Sequence, residues 1–230
     1  MCGRMVQKTP LAEIRVLFET VNPVPNMAAN YNGAPTQNLA VVRLDPDGRR
    51  SLDLLRWGLI PFWAKDKAIG PRLINAMAET VAAKPAFRDA FRRRRCLVPV
   101  DFFYEWQKTG RGKQPGGKQP YAIGLADSVP MALAGLWERW TDPQDGAPLH
   151  SFAVITGPPN ELLAPIHNRM PVILPREVWR RWLGEERAEA GDLQALLRPY
   201  PAEQMRAHKV AARVGNVRNN APELLAPVAA

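Results

Sequence analysis

The sequence predicts an α+β fold in which a mainly antiparallel β-sheet or open barrel-like body carries flanking helices, in a single domain of residues 1–230. Apolar segments of strand length recur along the chain, and turn signals join several of them. The fewer segments with helical spacing lie between groups of strands and do not alternate with them regularly. With 230 residues, of which 46% are hydrophobic, the chain is long enough to bury one core.

The N-terminal part predicts a short first strand, a helix, a loop and a hairpin. A Thr-Pro start and apolar residues at helical spacing predict a helix over residues 9–19. Residues 22–37 are rich in Pro, Asn and Ala and favour an ordered loop, and loops of this length are often functional. Residues 38–44 and 51–60 flank the turn sequence DPDGRR, which predicts an antiparallel hairpin.

Beyond residue 84 the pattern predicts one more helix and then a series of strands. Pro85 starts a helix on which Phe87 and Phe91 share a face, and the arginines that follow suit its C-terminal end. Further strands are predicted at 96–106, 120–126, 131–140, 150–156, 171–174 and 206–214, and helices near 160–165, 176–184 and 192–197. The segment KTGRGKQPGGKQ, residues 108–119, predicts a flexible basic hairpin loop within the domain.

The chain is strongly basic, with a formal net charge of +9 and a pI near 10.0. This charge favours a polyanionic partner, because each phosphate that Lys or Arg neutralises releases condensed counterions. Nucleic acid is the leading candidate. Arginines crowd residues 88–95, and the loop at 108–119 carries cations and no acid. For each segment a solvated face is the plainer interpretation.

The sequence carries no signal for export, membrane insertion or metal binding. It has no run of about 18 apolar residues and no secretory signal, so we expect a cytosolic protein with no membrane partner. With nucleic acid as the leading partner, we expect it to join the nucleoid when it binds DNA. Cys2 and Cys96 are expected to be free thiols. Because His150, His167 and His208 are scattered, neither a metal nor another cofactor is expected. We expect a monomer.

Cys2 directly follows the initiator methionine. Removal of Met1 leaves an amine and a thiol on adjacent carbons of Cys2, which is a 1,2-aminothiol. With an aldehyde, the amine forms a Schiff base and the sulfur adds to the same carbon, which closes a five-membered thiazolidine. Cys2 is therefore a candidate covalent nucleophile. The plainer alternative is a small buried residue that happens to be second.

A series of motifs along nearly the whole chain carries a resemblance to one family. They are MCGR at the start, YNGAPTQ at 31–37, RWGLIPFWAKD at 56–66, NAMAET at 75–80, CLVPVDFFYEW at 96–106, LAGLWE at 133–138, IHNRMPVIL at 166–174 and the closing VRNNAPELL. In this order they are highly specific, and the chain resembles the SRAP family (SOS response-associated peptidase, abasic-site-processing proteins). The resemblance implies a protein that engages single-stranded DNA, or its junctions with duplex, and captures abasic sites covalently through its matured N-terminal cysteine, shielding the lesion.

The resemblance implies four catalytic side chains. Cys2 matches the N-terminal cysteine, and Asn75 matches the active-site asparagine, which would hold the amine or the sugar by hydrogen bonds. Glu105 matches the family's acidic residue, which suits it to move protons during ring opening and Schiff-base formation. His167 matches the family histidine, which can donate and accept protons at the sugar.

The resemblance also implies DNA contacts. Arg169 would hold a phosphate through its planar fork of donors. Arg4 and Thr156 would accompany it on the DNA backbone, and Trp106 would stack on a base or sugar, although it is as readily a core residue. One position departs from the family pattern, because Met77 stands where an arginine usually reaches a phosphate, so one cationic contact is missing.

Other functions remain open beside this one. MCG also begins the N-terminal-nucleophile glutamine amidotransferases, in which the Cys2 thiol attacks an amide, although Arg4 and the later motifs depart from their pattern. The family name suggests a peptidase, whose one target would be its own Met1, and a lyase activity is a further option. A non-covalent single-strand-binding module would use charge and aromatic side chains with no covalent step.

Overall fold

The structure, a computed structural model, describes residues 2–110 and 117–228. Within these residues the strands are β1 (Met5–Gln7), β2 (Asn30–Gly33), β3 (Asn38–Leu44), β4 (Arg50–Trp57), β5 (Asn75–Met77), β6 (Arg95–Val100), β7 (Phe102–Lys108), β8 (Lys118–Leu125), β9 (Met131–Thr141), β10 (Pro148–Gly157), β11 (Met170–Pro171) and β12 (Met205–Lys209). The α-helices are α1 (Leu11–Leu17), α2 (Arg88–Arg93), α3 (Trp179–Leu183) and α4 (Ala190–Ala195).

Five of these strands close into a barrel in the order β10, β4, β3, β6 and β9, because β9 also pairs with β10. All five pairings are antiparallel except that of β10 with β4, which is parallel. Each strand contributes to one apolar cluster, which includes Val41, Leu55, Val98, Leu133 and Phe152. Beyond the barrel, the C-terminal residues of β10 pair with two short strands, β5 at Val154–Thr156 and β11 at Thr156–Gly157.

A second, antiparallel sheet has the order β12, β8, β7, β1 and β2. Its residues Met5, Phe103 and Ile123 belong to the same apolar cluster as the barrel strands, so the two sheets share a core. Gly124 on β8 is required by close packing, since a Cβ there would lie 2.9 Å from the carbonyl oxygen of Asp101.

The helices pack on the outside of the barrel. Ile14, Phe91 and Trp182 are buried in a second cluster that also contains outward-facing residues of β3, β4 and β6. Phe91 meets the Trp182 ring edge-on with 6.1 Å between centroids. No helix in the described part of the chain is long and apolar enough to cross a membrane.

The predicted α+β fold is confirmed, as are its principal hairpin and four of its helices. The sequence DPDGRR joins β3 to β4 in antiparallel register from Asn38↔Arg56 to Leu44↔Arg50. The helix predicted at 9–19 is the shorter α1, and the helix predicted after Pro85 is α2. The segment predicted at 176–184 begins as a 3-10 turn and continues as α3, while α4 begins two residues before the predicted start at 192.

Four predicted elements are wrong in extent or type. Of the strand predicted at 171–174, only Pro171 lies in β11. The strand predicted at 96–106 is two strands in different sheets, separated at Asp101, whose carboxylate accepts the backbone N–H groups of Lys8 and Thr9 at 2.7 and 3.1 Å. The helix predicted at 160–165 is a series of turns, since Pro165 lacks an N–H and disfavours helix before it. The strand predicted at 206–214 ends at Lys209 and gives way to a 3-10 turn.

Short strands also replace predicted loop. β2 lies inside the loop predicted at 22–37, and β5 was not predicted at all. Half of the flexible basic loop predicted at 108–119, residues 111–116, lies outside the described residues; β7 and β8, which flank it, are paired at Lys108↔Lys118.

The arginine run at 88–95 is not one exposed patch. Arg88, Arg92 and Arg93 are exposed on α2, whereas Arg95 is buried and donates to the carbonyl oxygens of Trp182, Phe91 and Arg92. Arg94 is half-buried and forms an ion pair with Glu138 at 2.7 Å.

Candidate active site

Cys2 lies just before β1, the strand that lies between β7 and β2 in the second sheet. β1 pairs with β7 at Met5↔Phe103, and the backbone N–H of Tyr104 donates to the carbonyl oxygen of Arg4. Continued by two residues, this antiparallel register carries Cys2 toward the end of β7 that holds Glu105. Cys2 is a buried free thiol. Burial raises the pKa of the Cys2 thiol above its ordinary value, and the nearby Glu105 carboxylate raises it further.

Asn75 contacts Cys2 directly. It opens β5, a three-residue strand that is held beside β10 by parallel pairing at Val154↔Asn75. The Asn75 side-chain Nδ2 donates to the carbonyl oxygen of Cys2 at 2.7 Å. Its Oδ1 is buried and has no hydrogen-bond partner among the described residues. The amide therefore fixes the main chain of Cys2 with one atom and leaves an acceptor for a further group.

Glu105 and His167 form the ionisable part of the site. Glu105 lies on β7 with 2% of its surface exposed, and His167 lies on the segment between β10 and β11. The His167 Nε2 is 3.9 Å from Glu105 Oε2. Burial raises the pKa of the Glu105 carboxyl above its ordinary value, while His167 acts in the opposite direction. Glu105 therefore keeps a proton to a higher pH than an exposed glutamate does.

The orientation of the His167 ring is set by a local hydrogen bond. Its Nδ1 accepts the backbone N–H of Arg169 at 3.1 Å. When Nδ1 accepts from this N–H, the proton of the neutral ring is on Nε2, the atom that faces Glu105; the Arg169 carbonyl oxygen, 3.3 Å from the same Nδ1, is the acceptor for the other tautomer. The pair is thus arranged for a proton to move between the two side chains and a group bound beside them.

Arg169 and Thr156 border these residues on the ends of β10 and β11. The Arg169 guanidinium makes a two-pronged contact with Glu79, Nη1 to Oε1 at 2.5 Å and Nη2 to Oε2 at 2.9 Å. Nη2 also donates to the carbonyl oxygen of Thr156. The Thr156 hydroxyl is buried without a hydrogen-bond partner among the described residues. Met77, where the family pattern has arginine, is 40% exposed opposite Thr156.

Arg4 and Trp106 lie on the side of the site that faces the C-terminal segment. Arg4 donates to Asn32 Oδ1 at 3.0 Å and to the carbonyl oxygens of Val214 and Gly215 at 2.9 and 3.1 Å. Its guanidinium carbon is 6.0 Å from the centre of the Trp106 ring. Trp106 is half-buried against the small apolar cluster of the second sheet. Arg4 thus ties the strand after Cys2 to the C-terminal segment.

The fold brings Cys2, Asn75, Glu105 and His167 together and places Arg169, Thr156, Arg4 and Trp106 around them. Sequence reasoning missed two side chains that hold this arrangement, Glu79 and Asn32. Both lie inside motifs that the sequence singles out, NAMAET and YNGAPTQ, and that position was their one signal. No group of three or more His, Cys, Asp or Glu side chains that could hold a metal occurs in residues 2–110 and 117–228.

Comparison with known proteins identifies relatives of this chain. A model of the family described as SOS response associated peptidase (SRAP) matches residues 1–217. The abasic site processing protein YoqW of Bacillus subtilis is 43% identical over 230 residues, covering 98% of this chain and 99% of that protein. YoaM of Bacillus subtilis, also named an abasic site processing protein, is 41% identical over 227 residues, covering 98% and 97%. A crystal structure of a protein from Bacteroides thetaiotaomicron has the same fold, with a TM-score of 0.86 and 24% identity over 99% of this chain and 100% of its own.

Proposed function

Because the chain belongs to the SRAP family, we propose that it processes abasic sites in DNA, and that Cys2, once Met1 is removed, joins covalently to the aldehyde of the abasic sugar. The observation that carries the proposal is the hydrogen bond from Asn75 Nδ2 to the carbonyl oxygen of Cys2 at 2.7 Å, beside Glu105 and His167. It fixes the main chain of the residue whose amine and thiol would react, next to two groups that exchange protons.

The amine of Cys2 is the first nucleophile in this reaction. Burial keeps the Cys2 thiol protonated, whereas an α-amine has a reference pKa of about 7.7 to 8.0 and is partly neutral near pH 7. The amine adds to the aldehyde carbon and a water molecule leaves, which gives an imine. The sulfur then adds to the imine carbon and its proton passes to the nitrogen. The balance is one aldehyde and one aminothiol to one thiazolidine and one water.

Glu105 and His167 would move the protons of these steps. An abasic sugar is mostly a closed hemiacetal, so its ring oxygen must be protonated as the aldehyde is released. Glu105 suits this role because burial raises its pKa, so it keeps its proton to a higher pH than an exposed glutamate does. His167, with Nε2 3.9 Å from Glu105, would return that proton or take one from the amine. Asn75 would hold the amine or the sugar.

Single-stranded DNA, or a junction with duplex, is the proposed partner. Arg169 and Thr156 on one side and Arg4 and Trp106 on the other would flank a strand whose abasic sugar reaches Cys2. The unsatisfied Thr156 hydroxyl and Asn75 Oδ1 supply a donor and an acceptor for the sugar-phosphate chain. Trp106 would stack on a neighbouring base. Shielding of the lesion follows, since the adduct keeps the aldehyde from other nucleophiles.

The test is adduct formation with oligonucleotides on denaturing gels. Matured protein with single-stranded DNA that contains an abasic site should give a heat-stable band. Intact DNA, and DNA with a tetrahydrofuran in place of the abasic sugar, should give none because neither has an aldehyde. Cys2→Ala should abolish the band, while Cys96→Ala, which alters the other buried cysteine, should retain it. An equal yield from Cys2→Ala would contradict the proposal, and a shift lost in detergent would favour a non-covalent binding module.

The peptidase of the family's description has a matching substrate in the Met1–Cys2 bond. Synthesis in a translation mixture without methionine aminopeptidase, followed by mass spectrometry, tests whether the chain removes Met1 itself.

Insertion of one alanine between Met1 and Cys2 should prevent the adduct, because the terminal amine then belongs to another residue. Release of ammonia from glutamine by the matured protein would instead favour the amidotransferase function.

A further inference from the structure

The contact between Arg169 and Glu79 joins a nearly buried guanidinium to a half-exposed carboxylate. The Arg169 side chain is 15% exposed and the Glu79 side chain is 47% exposed. Two parallel contacts of 2.5 and 2.9 Å fill one edge of the guanidinium fork. Arg169 is also held by the Thr156 carbonyl oxygen, so the arginine is fixed to the sheet and the glutamate is the partner with freedom to leave. Its hydrogen bonds from Arg169 hold the pKa of Glu79 below its ordinary value, so it stays charged at neutral pH.

A carboxylate in this position stands in for the two oxygens of a phosphodiester. The guanidinium fork matches carboxylate and phosphate in the same two-pronged geometry. The contact is also close to the candidate active site along β5. Thr156 pairs with Met77, and Met77 follows Asn75 by two residues, which is about 7 Å along a strand. A phosphate on Arg169 would thus lie beside the sugar at Cys2.

We propose that Glu79 occupies a phosphodiester-binding site on Arg169 in the DNA-free protein and that a DNA phosphate must displace it. The inference rests on the proposed function, since it takes DNA as the ligand. Glu79 then acts as a specificity-determining residue. A free phosphate binds Arg169 poorly, because the Glu79 carboxylate is attached to the same protein and competes with it at every moment. A phosphate in a strand that other contacts already hold is present at a high effective concentration, so it can displace Glu79 from Arg169.

The experiment is equilibrium binding of a fluorescent single-stranded oligonucleotide without abasic sites, followed by anisotropy at fixed salt. Glu79→Gln keeps the shape of the side chain and removes its charge, so binding should tighten about 2- to 5-fold, the range of an exposed ion pair. Glu203→Gln is the matched control, because it removes the same charge from an exposed residue that makes no ion pair with Arg169. Its affinity should change less than that of Glu79→Gln.

A double variant shows whether the gain passes through Arg169. Arg169→Gln should weaken binding, and Glu79→Gln added to it should give no further gain. A weaker affinity for Glu79→Gln, a gain no larger than that of Glu203→Gln, or a gain that persists without Arg169 would overturn the inference. Thermal melting of each variant shows that the fold is retained.

Parallel adduct assays separate this inference from the proposed function. If Glu79→Gln binds more tightly through Arg169 but no Cys2-dependent adduct forms, the covalent function is wrong and the displacement stands. If the adduct forms and Glu79→Gln does not bind more tightly, the function stands and the displacement is wrong.

Discussion

Glu105 is the residue whose environment predicts a pH dependence. Burial raises the pKa of its carboxyl, so the folded protein holds this proton to a higher pH than an ordinary glutamate does. If Glu105 delivers a proton during ring opening, its contribution to the rate of adduct formation is complete below that raised pKa and falls as pH rises through it. Deprotonation of the Cys2 amine raises the rate with pH in wild type and variant alike, so only the Glu105 part differs between them. Glu105→Gln should lack this fall and be slow throughout. Single-turnover rates measured from pH 5 to pH 9 check it, and an identical alkaline fall in both proteins would contradict the assignment.

His167 and Asn75 should affect the rate of the adduct rather than its identity, because neither supplies an atom to the thiazolidine. General acid–base catalysis contributes about 10²- to 10⁴-fold, so His167→Ala should give a delayed but eventual adduct. Asn75→Ala should lie between this delayed variant and Cys2→Ala, which gives no stable adduct, since Asn75 positions the main chain of Cys2 through one hydrogen bond. His208→Ala is the matched control, because the His208 Nε2 donates to the Leu225 carbonyl oxygen, away from Cys2. If His167→Ala formed the adduct at the wild-type rate, the proposed role of His167 in proton transfer would be wrong.

At this scale the sequence could predict residue types but not contacts. The aminothiol of Cys2 follows from position alone, and Asn75, Glu105 and His167 follow from the resemblance. The partners of these residues lie far away in the chain: Asn75 reaches Cys2 across 73 positions, and Arg169 reaches Glu79 across 90. Such pairs depend on the closed sheet, so no local pattern indicates that Arg169 is already held by a carboxylate.

Asn32 links the strand beside Cys2 to the C-terminal segment. Its Nδ2 donates to the carbonyl oxygens of Val214, Asn216 and Asn219 at 3.1, 3.1 and 2.9 Å, and its side chain is buried. Asn32→Ala removes the donor that these three carbonyl oxygens share and the Oδ1 that accepts from Arg4, which should cost about 2 to 4 kcal/mol of unfolding free energy. A shift of about 5 to 15 °C to lower Tm follows for a chain of this size.

The control for this prediction is Asn26→Ala, which truncates an exposed asparagine on the loop before β2. Its Tm should remain within about 1 °C of wild type, since exposed substitutions away from such contacts are usually worth less than about 0.5 kcal/mol. Equal melting of Asn32→Ala and wild type would show that the C-terminal segment is held by other contacts, among them those of Arg4.

Elements with strong local signals could be predicted, and elements defined by their neighbours could not. The turn sequence DPDGRR alone predicts the hairpin of β3 and β4, and the apolar spacing within α1 and α2 predicts these helices. By contrast β5 has three residues and exists because β10 lies beside it. The division of 96–106 also needs tertiary information, since Asp101 separates β6 from β7 through bonds to Lys8 and Thr9, more than 90 positions earlier.

On the scale of the whole molecule, barrel closure was the part of the fold that the sequence left open. β10 joins antiparallel β9 to parallel β4, and the partners of the parallel pair are separated by about 95 residues in the chain. Apolar alternation indicates that a strand exists but not which strand lies beside it. The same closure sets the site, because β10 holds β5 and β11, which carry or flank Asn75 and Arg169.

The net charge of +9 predicts salt-sensitive binding to undamaged single strands. Each phosphate contact with a single strand changes the slope of log affinity against log salt by about 0.7, so several contacts make affinity fall steeply between about 50 and 200 mM salt. The exposed α2 arginines, Arg88, Arg92 and Arg93, are the part of the arginine run that can meet phosphates, because Arg94 and Arg95 are engaged within the protein. Replacing all three by Gln should therefore make the slope shallower, by up to about 2 units if each contacts one phosphate.

Arg187→Gln provides the control for that measurement, since it removes a charge from a side chain that is 93% exposed and lies 3.7 Å from Glu189. Its slope should equal that of wild type, because a solvated cation already paired with an acid releases no counterion from DNA. A flat dependence of wild-type affinity on salt would contradict the electrostatic basis of binding. An unchanged slope in the triple variant, with a steep one in wild type, would instead confine the phosphate contacts to cations around Cys2 such as Arg169, where the carboxylate of Glu79 competes for the same donors.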